Sequence, residues 1–151
     1  MIIYRYANKY FDTEAEVICN AVNCVGVYGA GLAKEFAKRY PKDVARHREV
    51  AKDGHIYAGS VLITDHSHRE NGQKIILHCA TKHHWRDRSK YGYVEECLHG
   101  INSAFHRLGF GSVAVPALGC GLGDLSWDVV KPMMEDILEH DRYQVFAYMP
   151  K

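Results

Sequence analysis

At 151 residues and a formal net charge of +1 at pH 7, the chain can bury a core without disulfides or metal, and its overall charge singles out no polyanionic partner. Hydrophobic residues make up 47% and charged residues 25%, a balance that excludes a disordered or fibrous chain. No apolar run is long enough to span a bilayer, and Met1-Ile2-Ile3-Tyr4-Arg5-Tyr6 lacks the parts of a signal peptide; one cytoplasmic, monomeric domain over residues 1–151 is expected.

In chain order, Ile2–Tyr6 and Val17–Val22 read as strands. A glycine-punctuated loop, Asn23-Cys24-Val25-Gly26-Val27-Tyr28-Gly29-Ala30-Gly31, leads into helical periodicity at Leu32–Arg39, which Pro41 stops, and at Asp43–Ala51. Strands follow at Ser60–Thr64 and Lys74–Cys79, separated by a polar, turn-like stretch with His66, His68 and Glu70-Asn71-Gly72. A basic, aromatic segment, Thr81-Lys82-His83-His84-Trp85-Arg86, precedes a helix at Tyr93–Leu108, which Gly109 caps. Ser112–Val115 is too apolar to be half exposed and reads as a strand covered on both faces. It leaves through a second glycine loop, Pro116-Ala117-Leu118-Gly119-Cys120-Gly121-Leu122-Gly123. The last helix is predicted over Trp127–His140, opening with a loose turn at Ser126 or Asp128 because Pro132 cannot sit deep inside a helix. Gln144–Tyr148 closes the chain as a strand. This order predicts an α/β fold, a three-layer α/β/α sandwich around about six strands.

Each glycine loop joins a strand to a helix, so each can offer backbone N–H groups at a positively polarised helix start, a good phosphate site. Two such loops suit a diphosphate. Dipole effects supply about 0.3–2 kcal/mol per loop, so base burial and ribose hydrogen bonds must add to affinity. Gly29-Ala30-Gly31-Leu32-Ala33-Lys34 ends in lysine where a dinucleotide-binding Rossmann loop needs a small residue, and G-x-x-x-x-G-K-[ST] does not occur.

These motifs resemble the macrodomains, which bind ADP-ribose and have a mixed central sheet. Asn20-Ala21-Val22-Asn23 is similar to the segment ending that family's second strand. Gly29-Ala30-Gly31-Leu32-Ala33 is similar to its first phosphate loop, and Pro116-Ala117-Leu118-Gly119-Cys120-Gly121 to its second. Within the family, Cys24-Val25-Gly26, Ala80–Arg86 and Gly121–Trp127 look most like the DarG antitoxin branch, which removes ADP-ribose from thymidine in single-stranded DNA. That branch is similar to the terminal ADP-ribose protein glycohydrolase, which has a lysine where Lys82 stands. The resemblance implies ADP-ribose contacts from Asn8, Asn23, Gly26, Gly29, Ala30, Gly31, Leu32, Thr81, Pro116, Leu118, Gly119, Cys120, Gly121, Leu122 and Tyr148, and a catalytic Lys82. Tyr148 is either an adenine or ribose contact or a core aromatic. Two departures stand out. Ala7-Asn8 replaces the family's Gly-Asp at the adenine amine, and Gly123 precedes Asp124 where the protein-deacylating relative has aspartate directly, leaving Asp124 an accessory group or an exposed turn residue.

The resemblance implies that Lys82 attacks the anomeric carbon of the distal ribose or otherwise acts on that sugar. An amine nucleophile must be neutral, and bringing a lysine from its ordinary pKa of about 10.4 to neutrality takes roughly 4 kcal/mol of differential solvation and charge interaction. His83, His84, Arg86 and Arg88 stand near in sequence to contribute; a charged Lys82 steadying the leaving group is the other reading. Trp85, Arg86 and Arg88, with Tyr91 and Tyr93, interleave ring and charge as single-strand-binding surfaces do; alternatively Trp85 closes the loop against the core. The cysteines, odd in number and without C-x-x-C, are expected as reduced, mostly buried thiols, with Cys120 a small loop residue rather than a nucleophile. The histidines lack metal-ligand spacing, so neither metal nor cofactor is expected. An ADP-ribosyl glycohydrolase acting on a nucleobase or on protein is the leading reading. The alternatives are an ADP-ribose 1″-phosphate phosphatase and a non-catalytic ADP-ribose reader.

Overall fold

The computed structural model describes residues 1–64 and 73–151. Six strands form one sheet in the order β1-β6-β5-β2-β4-β3, with β1 at Ile2–Tyr6, β2 at Val17–Asn23, β3 at Val61–Thr64, β4 at Ile75–Lys82, β5 at Ser112–Pro116 and β6 at Gln144–Met149. All pairings are parallel except β3 with β4, so the sheet is mixed. Helices α1 (Gly31–Arg39), α2 (Pro41–Lys52), α3 (Tyr91–Leu108) and α4 (Trp127–Ile137) connect them.

The central strands are buried along almost their whole length, as parallel strands covered by helices must be. Two apolar layers result. On one face α3 and α4 bring Val94, Leu98, Ile101, Val130 and Met134 onto Val17, Leu77, Val113 and Val145. On the other, Phe36 of α1 and Val44 of α2 join Ile18, Ile76, Ala114 and Tyr10. No helix among the described residues is long and apolar enough to cross a membrane.

Three of the local differences from the sequence reading have physical causes. A 3-10 helix, Ala7–Asp12, follows β1 and turns Tyr10 inward, where its hydroxyl donates to the Cys19 carbonyl at 2.5 Å. Strand β4 runs through Ala80 and Thr81 to Lys82, because pairing with β2 continues from Val22↔Ala80 to Asn23↔Lys82 across a bulge at the buried Thr81. Pro132 lies inside α4, five residues after Trp127, on its exposed side, where water can reach the backbone carbonyl left without its N–H partner. Of the two openings considered, Ser126 and Asp128, Ser126 is the N-cap, and the helix ends at Ile137 rather than His140. Pro41 both stops α1 and opens α2, as the first residue of the new helix.

A polar chain crosses the buried layer between α2 and the sheet. His78 Nε2 lies 3.0 Å from Thr64 Oγ1, its Nδ1 lies 3.2 Å from the Asn20 amide, and the His47 ring stacks on it at 5.2 Å. His47 Nδ1 in turn meets the Tyr28 hydroxyl at 2.5 Å, which links this chain to the first glycine loop. Burial pushes His47 down to about 4 and His78 down to about 3, with the neighbouring Arg48 and His47 respectively adding to the effect.

Candidate functional site

Strands β5 and β2 are parallel neighbours, yet β5 feeds α4 on one face of the sheet and β2 feeds α1 on the other. Their carboxyl ends therefore part, and the two glycine loops leave on opposite sides of one crevice. Open α/β sheets bind ligands at such a switch point. Strand β4, on the far side of β2, ends at Lys82 and places its side chain at the same crevice.

The first loop is held open by Asn23. Its Oδ1 accepts from the N–H of Val25 at 3.1 Å and of Val27 at 3.2 Å, while its Nδ2 donates to the Val27 carbonyl at 2.9 Å. The buried Asn23 thus spends most of its hydrogen-bonding capacity on loop shape. Gly26 (φ +77°) lies against Arg48 of α2, and Gly31 (φ +60°) starts α1. Gly29 and Ala30 are exposed, and Leu32 is half-buried on α1. No side chain caps α1, and its first turn holds no acidic residue, so the orphan N–H groups of that turn face the crevice uncompensated.

In the second loop, turn bonds occupy the N–H groups of Leu118, Cys120, Asp124 and Leu125; those of Gly119, Gly121, Leu122 and Gly123 take no part in them. Leu118 is buried, Pro116 half-buried at the end of β5, and Gly121 exposed. Gly119 has φ +76°, and Asp124 has φ +64°, the one positive φ outside glycine among the described residues. A Cβ at Gly123 would lie 2.6 Å from the Gly119 carbonyl oxygen and 2.9 Å from Ser89 Cβ. Gly123→Ala is therefore expected to lower stability by about 1–3 kcal/mol and to weaken binding of an anion on the loop's amides by disturbing the loop. Urea denaturation and calorimetry check both effects.

Ser89 clamps this loop to the end of β4. Its N–H donates to the Gly123 carbonyl at 3.0 Å and its hydroxyl to the Thr81 carbonyl. The first loop is tied to the same strand end, Cys24 N–H donating to the His83 carbonyl at 2.8 Å. Lys82 Nζ donates to the carbonyls of Leu122 at 3.4 Å and Trp85 at 3.5 Å, and Leu122 itself reaches over to the start of α1, its Cδ1 3.4 Å from where a Gly31 Cβ would stand. The structure thus brings Lys82, Thr81, Leu122 and Gly31 together. Partial burial lowers the Lys82 pKa, with Asp87 opposing; the arginines and histidines next to it in sequence are not the cause.

Other candidates stand further out. Tyr148, in register with Pro116, is 2% exposed and packs edge-on to Tyr10 at 4.9 Å, the place of a core aromatic. Asn8 is exposed on the 3-10 helix, at the same end of the sheet. Asp124 is an exposed turn residue paired with Arg88 at 3.5 Å. Trp85 does not close the loop onto the core. It is 45% exposed, tilted on His84 at 5.3 Å, with the Arg86 guanidinium 4.6 Å above its ring. Cys19, Cys79 and Cys97 are buried and Cys24 and Cys120 partly so, all as free thiols. Burial pushes Cys120 up to about 11, which leaves it protonated and poorly nucleophilic at neutral pH. His66 and His68 lie outside the described residues. A groove of about 580 Å³ between β3 and α3, lined by Tyr57, Val61, Glu96 and Arg107 among others, belongs to neither loop and carries none of this chemistry.

Comparison with known proteins agrees with this fold. The profile of the Macro domain family matches residues 19–134. A DNA ADP-ribosyl glycohydrolase of Mycobacterium tuberculosis is 40% identical over 120 residues, which cover 80% of this chain and 33% of that protein. The chain thus spans about a third of the length of that curated relative. Among solved structures, the macrodomain of Mycobacterium tuberculosis DarG superposes with a TM-score of 0.93 at 32% identity, covering 100% of this chain and 99% of the other. Thermosipho africanus DarTG in complex with ADP-ribose superposes with a TM-score of 0.85 at 30% identity, covering 93% of this chain and 39% of the other. With its sheet order, its paired glycine loops and a family match that runs from Cys19 in β2 to Met134 in α4, the chain belongs to the Macro domain family.

Proposed function

We propose that the chain is an ADP-ribosyl glycohydrolase that releases ADP-ribose from thymidine in single-stranded DNA, with Lys82 acting at the distal ribose. The observation that carries this reading is the convergence of three strand ends. Loops after β2 and β5 offer amides for a diphosphate, and the amine at the end of β4 lies 3.4 Å from the Leu122 carbonyl within the second loop. A diphosphate between the loops would bring its distal sugar towards that amine. The lysine adds to the anomeric carbon or acts on the sugar ring as the base departs, and water completes release. Asn8 is suited to the adenine amine through its side-chain carbonyl, and Asn23 to the ribose through the N–H it keeps. The names of the relatives support a DNA substrate, and the exposed Trp85–Arg86 pair supports a nucleobase held outside the cleft.

The test is release of free ADP-ribose from a thymidine-modified single-stranded oligonucleotide. Trp85→Ala is expected to raise KM for that oligonucleotide about tenfold, since base stacking is worth about 1–3 kcal/mol, while leaving the affinity for free ADP-ribose unchanged. Steady-state kinetics beside calorimetry separate the two quantities. Absence of ADP-ribose release from the modified strand defeats the reading.

A further inference from the structure

Beyond the cleft, the segment joining β4 to α3 encloses a second hollow of about 390 Å³, lined by His83, Asp87, Arg88, Ser89, Lys90 and Tyr93. This is within the size range of small-ligand sites, about 300–1,000 Å³. Its lining is uneven in charge. Arg88 and Lys90 bring two cations, whereas the Asp87 carboxylate already accepts the His84 N–H at 3.2 Å. One wall is aromatic: the His83 ring meets the Tyr93 ring edge-on at 5.7 Å, and Lys90 Nζ stands 5.6 Å from the centre of the same ring.

Arg88 is loosely committed. Its 3.5 Å pair with Asp124 joins two side chains that are 84% and 66% exposed, a type of pair that contributes little and yields readily to a phosphate. The hollow is also joined to the reacting end of the cleft, since His83 follows Lys82 directly and Ser89 is hydrogen-bonded to Thr81. A strand whose modified base sits at Lys82 would therefore carry its neighbouring nucleotide past this opening.

We infer that the hollow is a subsite for the nucleotide flanking the modified one in single-stranded DNA, with Arg88 and Lys90 at its phosphate and the Tyr93–His83 wall against its base. The inference rests on the DNA reading above and adds to it a second contact, separate from Trp85 and Arg86. Single strands are the fitting class because only an unpaired base can turn into a recess while its phosphate stays on the rim. A duplex presents its phosphates to the rim alone.

The test is an anisotropy titration with a labelled, unmodified single strand of about eight nucleotides, run beside the matching duplex at several salt concentrations. Lys90→Ala and Tyr93→Leu are each expected to weaken single-strand binding about fivefold or more. Lys90→Ala should also flatten the plot of log affinity against log salt by about 0.7. Arg107→Ala, at the far end of α3, is expected to change binding less than about twofold. The exposed Lys90 side chain keeps the test valid should Tyr93→Leu fold poorly. The subsite is overturned if the wild-type protein does not bind the single strand, if the duplex binds equally well, or if Arg107→Ala costs as much as Lys90→Ala. Binding of the unmodified strand requires no cleavage. A wild-type protein that binds it in this pattern but releases no ADP-ribose supports the subsite and defeats the hydrolase reading alone.

Discussion

Lys82→Ala is expected to lower kcat for ADP-ribose release by at least about 100-fold, while the Kd for free ADP-ribose stays within about threefold. The separation follows from placement. The amine sits at the end of β4, hydrogen-bonded to two carbonyls, whereas the diphosphate would be met by the backbone amides of two loops that the substitution leaves in place. Lys82→Arg then divides the two readings of the lysine. Arginine keeps a positive charge at every relevant pH and supplies no neutral amine, so it preserves an electrostatic role and abolishes a nucleophilic one. Burial lowers the Lys82 pKa, so the neutral fraction at a given pH exceeds that of a free lysine, and kcat/KM should rise with pH until the amine is fully deprotonated. Stopped assays from pH 6 to 10, with the two variants beside the wild type, read all of this. Equal losses in kcat and in ADP-ribose affinity for Lys82→Ala would make the lysine a binding residue instead.

Acidification from pH 7 to pH 5 should destabilise the fold by about 4 kcal/mol, measured as the change in unfolding free energy in urea. The cause is the stacked pair His47 and His78, held at about 4 and about 3 by burial. Unfolded histidines titrate near 6.5. Between that value and the folded ones the unfolded chain binds more protons, so the stabilisation is complete above about pH 6.5 and drains away as pH falls through the folded values. By pH 5 each histidine has withdrawn about 2 kcal/mol. Carboxylates do not explain this window. Glu14, held at about 2 by Arg5, loses its advantage only below its ordinary range near 4.5. His47→Phe should cut the difference between pH 7 and pH 5 to about half, with His78 supplying the remainder. A wild-type difference under about 1 kcal/mol would mean that the buried ring stack accepts a proton without opening the fold.

Strands and helices were legible because their apolar periodicity is strong, and the two glycine loops because each follows such a strand. Loop chemistry was less visible. Asn23 reads as a ribose contact, and sequence cannot show that all but one N–H of its amide is committed to Val25 and Val27. Ser89 gave no signal, since one serine in a polar loop looks solvated until the fold brings it between Thr81 and Gly123. Asn20 and His78 did leave a trace as polar residues in otherwise apolar strands, and β2 and β4 prove to pair them directly. His47 left none: on α2 it looks like an ordinary surface histidine, and only the stack on His78 reveals it. The 3-10 helix was missed because six residues without apolar periodicity carry no helical signature.

The pairing of β1 with β6 places Ile2 opposite Val145, so the edge of the sheet is built from the two ends of the sequence described here. A parallel partner cannot be supplied by a nearby hairpin, and β1 has none until β6 has been made. At about 5–20 residues per second, ribosomal synthesis leaves the first strand waiting on the order of ten seconds, its apolar residues uncovered. Closure of this edge of the sheet thus waits for β6, and the nascent chain depends on remaining unaggregated through that interval.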